Sequence, residues 1–557
     1  MKTPKVPLDP SELIYGLIIT ALVLLYWVWD ARKIWRGERH FSGGHFALLV
    51  YTAVLLVAWF HGRKDYPVNE WEALSYVFQP TARTVKSMQG IAGISAVMVF
   101  FAWFFGFNRS GCGVSLVRGS LVVDGEMVNM RLHGKKWAKD ASKPTELTVG
   151  VVRIPHELEA QHFLFSGTTG SGKTQAINKV LGAVRARQLM EVKDAVLGRA
   201  LIADAGGGFL SRFYQDGDLI FNPFDARSVE WSPFAEIVAD YDAQRIAKAA
   251  IPDASGESQE WHHYAQTLLA ETMLALHRQG EKSVKRLMHY LAVASNEELG
   301  VLLAGTPAVI LCAKGNEKML GNTRGIISTY LVAWRYLKDE GTFSIREWVR
   351  REDRKGWLFI TYRDDQLGLL RVLVATLFEL GIVEGLSLTE NDKRDLWYVF
   401  DEVDSLGKIS SLRAGLTKLR KYGGKVVLGL QTISQLRATY GRDEAQTLLA
   451  NVSTKVVLRA GDGETAEYFS NEFGMQQIER EQVSYSESSS DHGESESETR
   501  SRSYEHQRTI LASEIAGLQN LAGYIKLPGV PIGTVTISYE KLEELVKSFI
   551  DKKIAKI

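Results

Sequence analysis

Residues 167–174, GTTGSGKT, set glycines, hydroxyls and one lysine at the spacing G-x-x-x-x-G-K-[ST] of a phosphate-binding loop. Glycines allow the tight backbone turns that aim successive N–H groups at phosphate oxygens. A helix beginning near Lys173 adds the positive end of its dipole at the same place. Gly167, Thr168, Thr169, Gly170, Ser171 and Gly172 are therefore candidate phosphate contacts. The Lys173 ammonium would reach the outer phosphates and the Thr174 hydroxyl would bind a magnesium ion. The chemistry implied is nucleoside triphosphate binding and hydrolysis, with ATP and Mg2+ as cofactors.

A second group follows from LWYVFDEVDSL, 396–406. Five apolar residues run into Asp401 and Glu402. A buried parallel strand delivers its last residues to the crevice at the carboxyl edge of a sheet. There Asp401 can hold magnesium and Glu402 can polarise the attacking water. The stretch 412–431, LRAGLTKLRKYGGKVVLGLQ, reads as a helix ended by Gly423 and Gly424, then a strand ending at Gln431. If the two strands are neighbours, the Gln431 amide lies beside the acidic pair, placed to position water or sense the terminal phosphate. Arg420, at the end of that helix, is expected near the ligand edge of the sheet. It would face a neighbouring subunit, where an arginine can stabilise phosphoryl-transfer charge in trans.

Other elements must hold these residues. Phe163–Phe165 precede the loop as a strand, and a helix follows it to about Gln188. ALIAD (200–204), DLIFNPFD (218–225) and GWLFIT (356–361) read as further strands. Strands alternating with helices argue for an α/β domain with a parallel sheet covered on both faces. Residues 236–340 change character. EWHHYAQTLLAETMLALHR, VKRLMHYLAV and TRGIISTYLVAWRYLKD carry helical apolar spacing, which makes this an all-helical insert. The nucleotide-binding domain is then split into 111–235 and 341–540. SLVVDGEMVNMRL (120–132) and ELTVGVVRIP (146–155) read as strands leading into it. HELEAQH (156–162) has its histidines six apart rather than four, and reads as a loop instead of a zinc helix. Serine-rich residues 483–507 are almost free of aliphatic side chains and read as a disordered loop. Residues 541–557 read as an amphipathic helical tail.

Composition bounds the remainder. A chain of 557 residues implies about three to four domains. A net charge of +1 excludes a grossly basic surface while leaving room for a local basic groove. Cys112 and Cys312 form no metal or redox motif, which suits a reducing compartment. Residues 1–110 contain three uncharged apolar segments, 13–29, 46–60 and 91–107, with lengths near that needed to cross a bilayer. Trp27, Trp29, Trp59 and Trp103 stand near their ends like an interfacial belt. The loop after the first segment holds Arg32, Lys33, Arg36 and Arg39, which the positive-inside rule keeps in the cytoplasm. With three spans the N-terminus lies outside, and everything after Asn108 is cytoplasmic.

The blocks LTVGVVRIPHELEAQHFLFSGTTGSGKT, DLIFNPFDARSVEWSPFAEI, WYVFDEVDSL, LRKYGGKVVLGLQTISQL and LQNLAGYIKLPG, in this order, resemble the coupling proteins of type IV secretion and bacterial conjugation, of the TrwB and TraD kind. The resemblance runs from about residue 147 to 537. It implies a RecA-like P-loop ATPase domain with an all-helical domain, behind a transmembrane anchor in the bacterial inner membrane. It implies a homo-hexamer that binds DNA, receives relaxase and relaxosome cargo, and drives or licenses its passage to a type IV secretion channel. It also matches Lys173, Thr174, Asp401, Glu402, Gln431 and the finger candidate Arg420 to motif positions. Two departures stand out. After the second strand the family often has Asp-Pro-x-Gly-acid, and this chain has DAGGG, 204–208. The family's usual anchor has two spans, and this chain shows three segments. Other functions compatible with the motifs are a non-motor receptor, in which nucleotide only assembles the ring, and another DNA-pumping or secretion ATPase of the FtsK-like kind.

Overall fold

The computed structural model describes residues 114–134, 137, 143–189, 198–254, 256–352, 356–490 and 493–552, with backbone alone at 114–115, 481–490 and 493–500. The three apolar segments at 13–29, 46–60 and 91–107 lie outside the described residues. Among those described, one helix, Asp364–Gly385, is long and apolar enough to cross a membrane. Its residues Leu370, Leu373, Leu377, Phe378 and Leu380 are buried in the protein's own core.

In chain order the strands are β1 (Val114–Gly119), β2 (Val122–Asp124), β3 (Thr148–Val149), β4 (Val152–Arg153), β5 (Phe163–Ser166), β6 (Arg199–Ala205), β7 (Leu219–Phe221), β8 (Leu358–Tyr362), β9 (Leu396–Phe400), β10 (Gly424–Leu430), β11 (Thr454–Val457), β12 (Met475–Ser490), β13 (Gly493–Arg508), β14 (Ala522–Lys526) and β15 (Ile532–Thr536). Ten of them form one sheet in the order β2-β15-β14-β11-β5-β10-β9-β6-β8-β7. From β11 to β7 every pairing is parallel. β14 runs antiparallel to both β11 and β15. Strands in the parallel part are apolar on both faces, as a sheet covered on both sides requires. Phe163 and Phe165 of β5 enter one core, with the helix Lys173–Leu189; Leu164 enters the other, with the helix Asp364–Gly385.

Between β7 and β8 the described elements are helical. They include Asp240–Ala250, Ser258–Arg278, Val284–Ala292, Asn296–Leu302 and Glu317–Tyr330. Glu236, at the entry to this region, ties entry to exit. Its carboxylate accepts from Ser344 Oγ at 2.8 Å, from the Ile345 N–H at 2.7 Å and from Trp231 Nε1 at 2.7 Å. Arg346 then bridges Asp242 at 2.7 Å and Glu384 at 2.8 Å. This buried network lies over a core continuous with the sheet.

Four local readings of the sequence are corrected. Residues 125–132, within a stretch read as strand, belong to a helix, Gly125–His133, with Gly125, Val128 and Asn129 buried at helical spacing. The Asn129 amide holds it to the β3–β4 turn, donating to the Val151 carbonyl at 2.7 Å and accepting from the Arg153 N–H at 2.8 Å. His156–Glu159 is one helical turn rather than loop, its buried Glu159 held by Arg187. The segment 483–507, expected to be disordered, belongs to two long strands, β12 and β13, in a three-stranded sheet with β1. Most of its serines alternate with other residues, a period that suits a strand even with almost no aliphatic side chains. The described residues fall into two compact units, one holding 114–115, 480–490 and 493–503 and the other, the main one, lying within 116–479 and 504–552.

Finally, residues 541–552 form neither helix nor strand, apart from a single bridge between Asp225 and Asp551. Leu542 and Val546 pack onto the core on the Lys173–Leu189 side of the sheet. A spacing of four satisfies a period of two as well as one of 3.6, so the pattern alone did not decide. The backbone decides it by bonding outward: the Leu545 N–H donates to the Ser211 carbonyl at 2.7 Å, and the Ala226 N–H donates to the Ile550 carbonyl at 2.8 Å. Gly207, in the DAGGG stretch, has φ of 67°, and a Cβ there would stand 2.8 Å from the Ser548 carbonyl oxygen. The glycine is needed where the tail crosses.

Candidate nucleotide-binding site

β5, β9 and β10 are adjacent and parallel, so their carboxyl ends open on one crevice. β5 ends at Ser166, and 167–172 turn back into the helix that starts at Lys173. Gly170 and Gly172 have φ of 77° and 109°, values that L side chains rarely adopt. The Gly167 N–H donates to the Leu430 carbonyl at 3.1 Å and the Ser171 N–H to the Thr168 carbonyl at 3.1 Å, which fixes the loop to β10 and closes its turn.

Lys173 is buried. Its Nζ stands 3.9 Å from Asp401 Oδ1 and 3.8 Å from Glu402 Oε1, too far to hydrogen-bond either. Lys173 Nζ, Asp401 Oδ1 and Ser171 Oγ are all buried without a hydrogen-bond partner among the described residues. An orphaned buried polar group costs about 1–3 kcal/mol, more when charged. Three of them facing one glycine-turned loop fit a ligand bearing both phosphate oxygens and a divalent cation. Burial raises the Asp401 carboxyl above its usual range; Lys173 opposes this, Glu402 adds to it, and the Thr174 hydroxyl beside the carboxylate steadies its charged form.

Gln431 follows β10, and its Nε2 donates to Glu402 Oε1. That bond fixes the glutamate at the crevice. Arg420 is elsewhere. It lies in the short turn Leu419–Tyr422 before β10 begins, and Gly424 at that beginning pairs with Leu396 at the start of β9. The expectation of a place near the ligand edge is corrected: Arg420 is exposed at the amino edge. The seven residues of β10, at about 3.3 Å each, put it roughly 20 Å from the Lys173 crevice in the same chain.

Three further residues belong to the crevice and were not singled out from the sequence. Asp404 carries a buried, unpartnered Oδ1, and burial raises its carboxyl, with Glu402 adding and Lys173 opposing. Tyr362, ending β8, is buried, and its phenol is pushed up by burial, with Asp204, Asp401 and Glu402 contributing. Gly429 precedes Leu430 in β10, where the Asp401 carbonyl passes against it. A glycine inside a strand signals such an approach, and GLQ carried that signal. Asp204 also gains a place: it accepts the Phe209 and Leu210 N–H groups at 3.0 and 2.7 Å. Burial pushes its carboxyl up to about 7, with Asp401 adding and those N–H groups opposing.

Residues 146–538 match the family model described as the type IV secretion-system coupling protein DNA-binding domain. The chain belongs to that family. Among coupling proteins it is similar to TraD of Escherichia coli (strain K12), 29% identical over 430 residues, which cover 75% of this chain and 58% of TraD. The chain thus spans less than two thirds of that relative's length. Among solved structures it is similar to the conjugative coupling protein TrwBΔN70 in its unbound form, with 34% identity, a TM-score of 0.69, and coverage of 78% of this chain and 97% of that one. TrwB in complex with ADP and Mg2+ matches at 34% identity and a TM-score of 0.67, covering 78% of this chain and 97% of that one. These likenesses give this coupling-protein chain the α/β fold of a P-loop nucleotide-binding domain.

Proposed function

We propose that this coupling protein is a membrane-anchored, hexameric, ATP-driven DNA translocase that links processed plasmid DNA to a type IV secretion channel. The observation that carries the reading is the buried, unpartnered Lys173 Nζ facing Asp401 and Glu402 beneath a glycine loop. TrwB, the related coupling protein, was solved with the ATP analogue ADPNP and with ADP and Mg2+. Here ATP is the nucleotide and Mg2+ the metal, held by the Thr174 hydroxyl and Asp401. Bound there, the metal would neutralise charge on the phosphate oxygens.

The chain's own groups divide the work. The loop N–H groups of 167–172 orient the phosphates, and Lys173 supplies a positive charge in a dry site where it acts strongly. Glu402, held by Gln431, takes the proton of the attacking water. The same-chain distance of Arg420 supports a role at the site of a neighbouring subunit. The partners are DNA, relaxase and relaxosome proteins, and components of the secretion channel. The location is the bacterial inner membrane, with the ATPase domain in the cytoplasm and the segments at 13–29, 46–60 and 91–107 as the anchor.

The deciding experiment measures ATP hydrolysis by the detergent-solubilised full chain with and without single- and double-stranded DNA. Hydrolysis that rises with DNA supports the motor. Nucleotide binding with no hydrolysis under either condition would sink it and leave a receptor whose ring is assembled by nucleotide.

A further inference from the structure

Leu521 stands immediately before β14 with φ of 69°, one of three non-glycine residues with positive φ among those described. A leucine keeps that conformation only where its surroundings over-determine it. Two hydrogen bonds do so here. The Leu521 N–H donates to the Ser171 carbonyl at 2.8 Å, and its carbonyl accepts the Ile537 N–H at 2.7 Å. The side chain closes over the loop from the same direction: a Cβ on Gly172 would stand 2.7 Å from Leu521 Cδ2.

The first of these bonds reaches into the phosphate loop. Ser171 and Gly172 share one peptide unit, and no cis peptide is found among the described residues. In a trans peptide the carbonyl and the following N–H point in opposite directions. Holding the Ser171 carbonyl toward Leu521 therefore turns the Gly172 N–H away from Leu521. No hydrogen bond to that N–H is found among the described residues. An N–H so aimed and so left over is what a phosphate-binding nest requires.

We propose that Leu521 is a positioning residue for nucleotide binding: its left-handed backbone sets the plane of the Ser171–Gly172 peptide and so presents the Gly172 N–H to phosphate. This rests on the nucleotide reading of the loop. It assigns a binding role to a residue almost 350 positions away in the chain, just before β14, which runs antiparallel to both its neighbours in the sheet.

Two substitutions separate backbone from side chain. Leu521→Gly keeps the N–H and adopts positive φ freely. Leu521→Val keeps an apolar side chain, but its β-branch resists positive φ. The full chain in detergent is titrated with a fluorescent ATP analogue, steady-state kcat and KM are measured, and amide exchange is followed over residues 163–175 without nucleotide. Leu521→Val should weaken binding and raise KM on the order of ten-fold, with a smaller change in kcat and faster exchange over the loop. Leu521→Gly should stay within about three-fold of the parent. If Leu521→Val does not fold, Leu521→Ala replaces it, with a smaller shift in the same direction. Unchanged binding and exchange in the β-branched or alanine variant overturns the proposal. So does an equal loss in Leu521→Gly, which would make the side chain responsible. A parent chain that binds no ATP overturns the nucleotide reading itself; parent binding with indifferent variants overturns only the role of Leu521.

Discussion

The carbonyl oxygen of Asp401 occupies the space that a Cβ on Gly429 would need. The Val403 N–H donates to the Gly429 carbonyl at 3.2 Å, so the chain leaving β9 is stitched to β10 where the acidic pair emerges. The glycine is thus part of the site although it carries no functional group. Gly429→Ala must push Asp401 and Glu402 away from Lys173. Overpacking of this kind costs about 1–3 kcal/mol, and misplacing reacting groups by about 1 Å costs on the order of a hundred-fold in rate. Thermal melts and ATPase assays on the purified variant check both. Parent-like turnover would show that the crossing does not position the acids.

Glu402→Gln should bind nucleotide and turn it over slowly. Lys173, Thr174 and Asp401 remain, and the group that takes the proton is lost. Loss of a positioned base costs about a hundred- to ten-thousand-fold. Single-turnover hydrolysis with radiolabelled ATP measures this directly, and an unchanged rate would assign water activation to another residue, with Asp404 a carboxylate candidate in the same crevice.

Arg420 is predicted to act across a subunit boundary. Arginines acting in trans contribute roughly a thousand- to hundred-thousand-fold in turnover. Arg420→Ala and Lys173→Ala subunits should each be inactive alone. Mixed rings should recover part of the activity, because some interfaces pair an intact Lys173 site with an intact Arg420. Rings shown to be mixed, yet inactive, would refute the assignment.

His162 predicts a specific pH dependence of stability. It is buried, its Nε2 lies 3.0 Å from the Leu416 carbonyl, and its Nδ1 accepts the Val426 N–H at 3.1 Å. Those partners select the neutral ring with its proton on Nε2, because a proton on Nδ1 would meet the Val426 N–H. Its pKa is lowered to about 4, chiefly by burial, with the Leu416 carbonyl opposing and Arg420 adding to the lowering. The unfolded chain therefore binds the proton first as pH falls from about 6.5 towards 4, and stability is lost across that window. Each unit of pH inside it is worth about 1.4 kcal/mol. Denaturant melts at pH 7 and pH 5 should show a larger loss for the parent than for His162→Gln by about 2 kcal/mol. Equal losses would mean that His162 does not titrate in this way.

The phosphate loop was legible because its chemistry is local: GTTGSGKT needs only its own glycines and the strand and helix on either side. The run LWYVF into Asp401 and Glu402 was legible for the same reason, since five buried apolar residues followed by acids mark a strand end. The alternation of strand and helix sufficed for the sheet class, and the change at 236 for the helical region. Strand order is a different matter. That β10 lies between β5 and β9, so that Gln431 meets Glu402 and Gly429 meets the Asp401 carbonyl, depends on hydrogen bonds between residues far apart in sequence. Neighbour identity leaves no local trace. Tertiary structure alone put Arg420 at the amino edge, because that placement depends on the register Gly424 to Leu396. It also decided three segments whose patterns fit two periods or none. Gly125–His133 is helical because Asn129 satisfies the β3–β4 turn. The serine-rich stretch pairs as β12 and β13 through its backbone. The tail is not helical because its N–H and carbonyl groups find partners on the short helix Gly208–Phe213 after β6 and on the loop after β7. In each case the deciding energy is a backbone or side-chain bond to a distant partner, which exists only once the chain has folded.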